Sequence, residues 1–315
     1  MQIDRRGFLS LTAAAGAGVA CTGRLRAAEF KTTIRKACIV GTPPSHDEWK
    51  KIRDQGYDGV ETQSWNVKPE EAEKIRQAAE GAGVKIHSVM RAWTQVNSKD
   101  AAAVEKEIDS VATALRAAQG YGADAILWVP CKIGGMPMPE PWDFKIELDE
   151  TNGHLKQVVD GDNERYKAYI EAHDFATDAS REAVKRLIPI AEETKVVIGI
   201  ENVWNGLWVK PNAFRWLVAS FQSPWVKAYY DIGNHVKYAL PEEWIKALGP
   251  LIVKLHAKDF KLNPDGRGGS FVGLRKGSVN WPSVRRLLDE IGYDGWLTVE
   301  GPGNARDLEA IVRGE

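Results

Sequence analysis

Cysteine is scarce: three in 315 residues, one of them among the first 28, too few for a disulfide framework or a thiolate metal site. No run of eighteen apolar residues occurs, so no stable membrane insertion is expected. Basic charge has no excess either, with 42 Lys and Arg against 43 Asp and Glu. Such a balance is poorly suited to gripping phosphodiester backbones, and nucleic acid is not an expected partner. At 43% hydrophobic and 27% charged residues the chain is still too apolar to be disordered. Its core must form by burial alone.

The first 28 residues differ from the rest. Arg5-Arg6-Gly7-Phe8-Leu9 precedes a Gly/Ala-rich, weakly apolar stretch through Cys21, and Arg24-Leu25-Arg26-Ala27-Ala28 follows. The segment resembles a twin-arginine export signal, which implies a protein folded and loaded with cofactor before it crosses the membrane. A buried N-terminal helix fits less well, because Gly16 and Gly18 lower helix propensity. Gly18-Val19-Ala20-Cys21 is a poor lipobox, which disfavours a lipid-anchored form. The expected organisation is an export signal at 1–28 and one folded domain at 29–315, delivered to the periplasm or secreted. Without residues 1–28, which hold four Arg against one Asp, the net charge is −4.

From residue 34 on, short β-rich runs alternate with helical patterns. Strands are expected at Ile34–Val40, Gly59–Thr62, Lys85–Met90, Ala123–Val129, Val196–Glu201, Val226–Asp231, Ile252–His256 and Trp296–Glu300. Helical patterns such as 100–119 and 166–194 separate them, several opening with Pro and closing at Gly. Eight alternations predict an α/β fold, a single (β/α)8 TIM barrel, whose usual size is about 250 residues. A weak repeat agrees: Gln55-Gly56-Tyr57-Asp58-Gly59 returns as Ile291-Gly292-Tyr293-Asp294-Gly295, each a helix stop before a strand. The one long connection, Pro130 to Asp162, is expected to be a lid or a binding loop.

Side chains alternate along a strand, so one parity of a barrel strand faces the helices and the other faces the axis. Val196, Ile198 and Ile200 face out, leaving Glu201 inward; Val226, Ala228 and Tyr230 leave Asp231; Val253, Leu255 and Ala257 leave Lys254, His256 and Lys258; Leu297 and Val299 leave Glu300. Glu201, Asp231, His256 and Glu300 thus meet at the carboxyl ends of four strands, where barrel enzymes keep their chemistry. Three crowded carboxylates repel one another, and a divalent cation resolves the conflict. The oxygen-rich set suits Mn²⁺ best and tolerates Mg²⁺, Co²⁺ or Zn²⁺. The competing reading is ion pairing with Lys227, Lys254 and Lys258.

Ile198-Gly199-Ile200-Glu201-Asn202, Tyr230-Asp231-Ile232-Gly233-Asn234, Lys254-Leu255-His256-Ala257-Lys258-Asp259 and Gly292-Tyr293-Asp294-Gly295-Trp296-Leu297-Thr298-Val299-Glu300 together resemble the sugar phosphate isomerase/epimerase family, with its xylose-isomerase-like barrel. The resemblance runs from about 34 to 305. It implies Glu201, Asp231, His256 and Glu300 as metal ligands, with Glu201 and Glu300 doubling as the acid/base pair. Ketose 3-epimerases of this superfamily place Glu, His and Arg where this chain has Leu207, Asn234 and Leu262, with His235 and Lys261 one position from the last two. Endonuclease IV shares His256-x-x-Asp259, but the further histidines of its three-zinc site have no match here.

A small-molecule sugar is the expected partner, and a homo-oligomer is compatible. Substrate contacts are expected from Trp204, three residues after Glu201, and from Asn234 and His235. Glu61, His87 and Lys258 are read equally as substrate contacts or as buried ion-pair members. The reaction expected is isomerisation or epimerisation of a keto sugar through an enediolate. The alternative is a metal-dependent lyase or dehydratase acting on a 3-keto-glycoside or keto-inositol. A third reading is a non-catalytic carbohydrate-binding barrel.

Overall fold

The computed structural model describes residues 30–315, and the expected export segment lies outside the described residues. In chain order β1 (Ile34–Val40), α1 (His46–Asp54), β2 (Gly59–Thr62), α2 (Pro69–Gly81), β3 (Lys85–Trp93), α3 (Ala101–Tyr121) and β4 (Ala125–Val129) lead into an excursion, β5 (Glu147–Leu148) and β6 (Leu155–Gln157). Alternation resumes with α4 (Lys167–Thr194), β7 (Val197–Ile200), α5 (Pro211–Ala219), β8 (Val226–Asp231), α6 (Pro241–Leu248) and β9 (Ile252–Ala257). A second hairpin, β10 (Asp259–Leu262) and β11 (Gly269–Val272), precedes α7 (Trp281–Glu290), β12 (Gly295–Val299) and α8 (Ala305–Val312). The parallel strands close in the order β1-β12-β9-β8-β7-β4-β3-β2. This is the TIM barrel that the alternation predicts.

Local chemistry sets the element ends. Asp100 caps α3 by accepting from the Ala102 and Ala103 amides, and Gly122, at φ 67°, stops it. Asn280 caps α7 by accepting from Ser283 N, with Pro282 in the first turn. Buried positions on α4 recur at helical spacing: Tyr169, His173, Ala176, Thr177, Ser180, Ala183, Val184, Leu187 and Ala191.

Strand parity sorts the core as expected, except that Val253 on β9 is half-buried and stays outside it. Ile198, Ile200, Val226, Ala228, Tyr230, Leu255, Ala257, Leu297 and Val299 join the large core shared with the helices, while Leu127, Val129 and Tyr229 form a separate small cluster. Each buried aliphatic side chain stabilises the fold by about 1.5–3 kcal/mol. Gly59 is required by a close approach, since a Cβ there would lie 2.6 Å from the Trp296 ring.

Of the two expectations for the connection from Pro130 to Asp162, a lid or a binding loop, the structure departs from the lid. Ile133, Phe144, Ile146, Leu155 and Val158 are buried in the main core, and Trp216 Nε1 donates to Glu150 O at 2.9 Å. Ile133 N donates to Asn205 O at 2.9 Å, and Asn205 Nδ2 returns a bond to Cys131 O at 3.2 Å. A segment with this much apolar burial does not open cheaply. It buttresses the loop after β7.

Candidate metal centre

Four strands deliver the four expected ligands. Glu201 and Glu300 lie one step beyond β7 and β12 but are still held by ladder bonds, Glu201 N to Trp128 O at 2.9 Å and Glu300 N to Ala257 O at 3.0 Å. Asp231 ends β8 in register with His256 on β9, which is in register with Thr298 on β12. One ligand atom from each of Glu201, Asp231, His256 and Glu300 lies within 4.8 Å of the others. Glu201, Asp231 and His256 are buried, and Glu300 is half-buried at the open side.

The surroundings hold each group in place. His256 Nε2 donates to Glu61 Oε2 at 2.6 Å, and Tyr229 meets the imidazole edge to face. Asn234 braces two of these carboxylates at once, its backbone N donating to Asp231 Oδ1 at 2.7 Å and its Nδ2 to Glu201 Oε1 at 3.2 Å. Lys258 Nζ lies 2.9 Å from Glu300 Oε1 and 3.3 Å from Asp231 Oδ2, and donates to Asn234 Oδ1 at 3.2 Å.

Charge in this volume is unbalanced. Burial pushes Glu201 up to about 8 and Asp231 up to about 7, despite His256 and Lys258 nearby. Burial also opposes ionisation of Glu300 and His256, but here the neighbours win. His256 and Lys258 hold Glu300 well below the usual carboxylate range, and Glu61 and Glu300 hold His256 well above its usual value.

The donor set fits a divalent cation. Asp231 Oδ2 and His256 Nδ1 are buried with no partner in hydrogen-bond geometry, although Glu300 Oε2 comes within 2.8 Å of that nitrogen. Buried polar atoms without a hydrogen bond are costly, and here they belong to neighbouring strands that aim them at the same volume. A dication would take up Asp231 Oδ2, replace the proton on His256 Nδ1 and add positive charge beside the buried Glu201 and Asp231. Hard carboxylate oxygens with one imidazole suit Mg²⁺ or Mn²⁺ chemistry.

The other expected contacts are distributed unequally. Lys258 and Asn234 touch the ring. Trp204, 37% exposed, donates from Nε1 to Asn234 O at 2.5 Å and stacks on Phe271, ring centroids 5.0 Å apart. His235 is placed away from the mouth: it is fully buried, its ring 4.6 Å from Trp244 of α6 and its Nδ1 3.3 Å from Asp231 O. Glu61 and His87 are also fully buried, Glu61 behind His256 and His87 against Trp296, with Nε2 3.0 Å from Thr298 Oγ1. Of the two neighbours that could replace missing ketose contacts, His235 faces α6 and Lys261 is exposed on β10. Phe271 carries no signal in the sequence, because it sits in a glycine-rich stretch without alternation. A cavity of about 770 Å³ lined by Phe144, Lys210, Arg215 and Tyr238 includes none of the four ligands.

The pattern that defines the xylose isomerase-like TIM barrel family matches residues 49–314. The chain belongs to that family. A curated relative, the uncharacterized protein MJ1311 of Methanocaldococcus jannaschii, is 29% identical over 148 residues, 45% of this chain and 47% of that protein. The chain thus spans about half the length of the curated relative it matches. Among solved structures, a D-tagatose 3-epimerase-like protein is 18% identical with a TM-score of 0.63, over 88% of this chain and 94% of that one. The 3-keto-D-glucoside 4-epimerase of E. coli, in its apo form, is 10% identical with a TM-score of 0.61, over 89% and 99%. A xylose isomerase-like TIM barrel protein from Mycobacterium smegmatis, in complex with magnesium, is 19% identical with a TM-score of 0.58, over 85% and 87%. At these identities the likeness is one of fold.

Proposed function

We propose that this family member is a metal-dependent sugar isomerase or epimerase, with Glu201, Asp231, His256 and Glu300 as ligands and Glu201 and Glu300 as the proton-transfer pair. The observation that carries the reading is the convergence of those four side chains, two with orphaned buried ligand atoms. When bound, a divalent cation supplies a Lewis acid beside the substrate's oxygens, with Mn²⁺ preferred and Mg²⁺, Co²⁺ or Zn²⁺ tolerated. Glu201 and Glu300 come from β7 and β12, with β8 and β9 between them, so their carboxylates approach a bound sugar from different sides. One removes the proton from carbon beside the carbonyl, leaving an enediolate. The other returns a proton to the opposite face or to the neighbouring carbon. The activity named for one neighbour, the 3-keto-D-glucoside 4-epimerase, falls in the same class, and a second neighbour is called D-tagatose 3-epimerase-like.

Lys258 favours a second reading. Its ammonium stands 2.9 Å from Glu300 Oε1, where it could protonate an oxygen leaving the enediolate. That would make the protein a lyase or dehydratase acting on a 3-keto-glycoside or keto-inositol.

One experiment tests both. The Mn²⁺-loaded protein is incubated in heavy water with free and glycosidic keto sugars. Deuterium in recovered, unfragmented sugar supports the isomerase or epimerase, whereas a released aglycone or a dehydrated product supports the lyase. Sugar binding without exchange would leave only a carbohydrate-binding barrel. Export through the 1–28 segment is part of the same proposal, and its test is a mature N-terminus at residue 29 in the periplasmic fraction.

A further inference from the structure

The reaction above makes no use of a fourth carboxylate inside the barrel. Glu61 stands on β2 and His256 on β9, and in the closed order β1 and β12 lie between them. The bond joining them therefore crosses the barrel interior. Glu61 Oε2 is 2.6 Å from His256 Nε2, Glu61 Oε1 accepts from Ser88 Oγ at 3.1 Å, and all three side chains are buried. With both carboxylate oxygens engaged below the ring, Glu61 is not placed to touch a sugar.

A local irregularity makes this arrangement. The β2–β3 register shifts between Val60 and Glu61, so that Val60 pairs with Ile86 but Glu61 pairs with Ser88. The extra residue on β3 lets two consecutive side chains turn inward, His87 to Thr298 and Ser88 to Glu61. A regular strand would send one of them outward.

A carboxylate only accepts, so a nitrogen it faces carries a proton. Both His256 nitrogens face one, but Glu61 is enclosed behind Nε2 while the Glu300 facing Nδ1 belongs to the ring, so only the Nδ1 proton gives way to a cation. We infer that Glu61 is a positioning residue that fixes His256 in its Nε2–H tautomer and so makes Nδ1 the metal-ligating atom. Nδ1 is the nitrogen that faces the other ligands, 2.8 Å from Glu300 Oε2 and 4.0 Å from Asp231 Oδ2. Ser88 anchors the carboxylate, and the edge-to-face ring of Tyr229, centroids 4.9 Å apart, restrains the imidazole plane. A histidine whose second nitrogen is bonded to a carboxylate is both oriented and more basic toward a metal. The inference rests on the metal reading of the ring, not on the reaction assigned to it.

The test reads metal binding rather than turnover. In protein carrying ¹⁵N-histidine and loaded with ¹¹³Cd²⁺, the His256 δ1 nitrogen should couple to cadmium and the ε2 nitrogen should carry a proton. Coupling to the ε2 nitrogen, or to neither, overturns the inference. Glu61→Gln should weaken Mn²⁺ binding by about ten- to a hundredfold in competition with a chelator. An affinity within about twofold of the native value also overturns it. If that variant does not fold, Ser88→Ala takes its place, with a smaller loss in the same direction, and the cadmium spectrum of the native chain decides independently. Cadmium on Nδ1 in a protein inert toward every keto sugar would sink the proposed function and leave this inference standing.

Discussion

His87 lies face to face with Trp296, ring centroids 4.5 Å apart and planes 6° apart, in the layer of the barrel that includes Thr298. Burial, and after it the charge of Lys254, holds the His87 pKa well below the usual value. His173 and His235 are lowered in the same way by burial, His235 to about 4. An unfolded histidine titrates near 6.5, so between about 6.5 and 4 the unfolded chain binds more protons than the folded one. The stability contributed by a neutral His235 is therefore present above about pH 6.5 and lost as the pH falls through 4. For His235 it amounts to roughly 3 kcal/mol. The urea stability of the native protein minus that of His235→Gln should shrink by about that much between pH 7 and pH 4. A difference that stays constant would mean that His235 is not held neutral.

The metal ring could be read from the sequence because period-two burial leaves Glu201, Asp231, His256 and Glu300 conspicuous among Val, Ile and Leu. The support around it could not. Strict parity cannot turn both His87 and Ser88 inward, and the bulge that does so has no signal in the residues themselves. His235 is one residue from Asn234, yet it packs toward Trp244 while Asn234 reaches Glu201, because the loop after β8 turns between them. The β10–β11 hairpin was hidden for another reason: residues 263–276 are polar and glycine-rich, and the pairing is fixed by tertiary bonds rather than by alternation.

Metal loading should expel protons. Burial holds Glu201 at about 8 and Asp231 at about 7, so at neutral pH both retain a share of their protons. A cation takes only ionised carboxylates and an Nδ1 free of its proton, and Glu61 and Glu300 hold His256 well above its usual value. Binding should therefore release on the order of two to three protons at pH 7, with the affinity rising as pH is raised. Calorimetric titration of chelator-stripped protein with Mn²⁺, in buffers of different ionisation heat, measures the number directly. Heat independent of buffer would show these carboxylates already ionised and His256 Nδ1 already without its proton. At a free metal concentration 100 times Kd, the loaded protein should also be about 2.7 kcal/mol more stable than the stripped one.

Two substitutions at the ring should separate proton abstraction from loss of a leaving group. Glu300→Gln removes a ligand and one member of the proton-transfer pair, and solvent deuterium should no longer enter the sugar. Lys258→Met removes a cation but no ligand. If Lys258 protonates a leaving oxygen, product release should fall by about 10²- to 10⁴-fold while exchange persists. Equal loss of both activities would tie Lys258 to the carboxylates rather than to the leaving group. Undiminished exchange in Glu300→Gln would remove Glu300 from the mechanism.

Asp259 follows His256 by three residues, yet it is committed to a loop and not to the metal ring. It is 1% exposed, and its carboxylate accepts from Phe260 N at 2.9 Å, Gly277 N at 3.0 Å, Val279 N at 3.3 Å and Trp281 Nε1 at 3.1 Å. Those bonds close the ends of the β10–β11 hairpin, which carries Phe271 onto Trp204. Asp259→Asn places an NH₂ group among these N–H donors and leaves at least one of them unpaired, at a cost of about 1–3 kcal/mol. Amide hydrogen exchange across 269–281 should accelerate, and KM for the sugar should rise more than kcat falls. Mn²⁺ affinity should hardly change, since no ligand is touched. A collapse of metal binding in this variant would make Asp259 part of the metal centre, and unchanged exchange in the hairpin would remove its role as a latch.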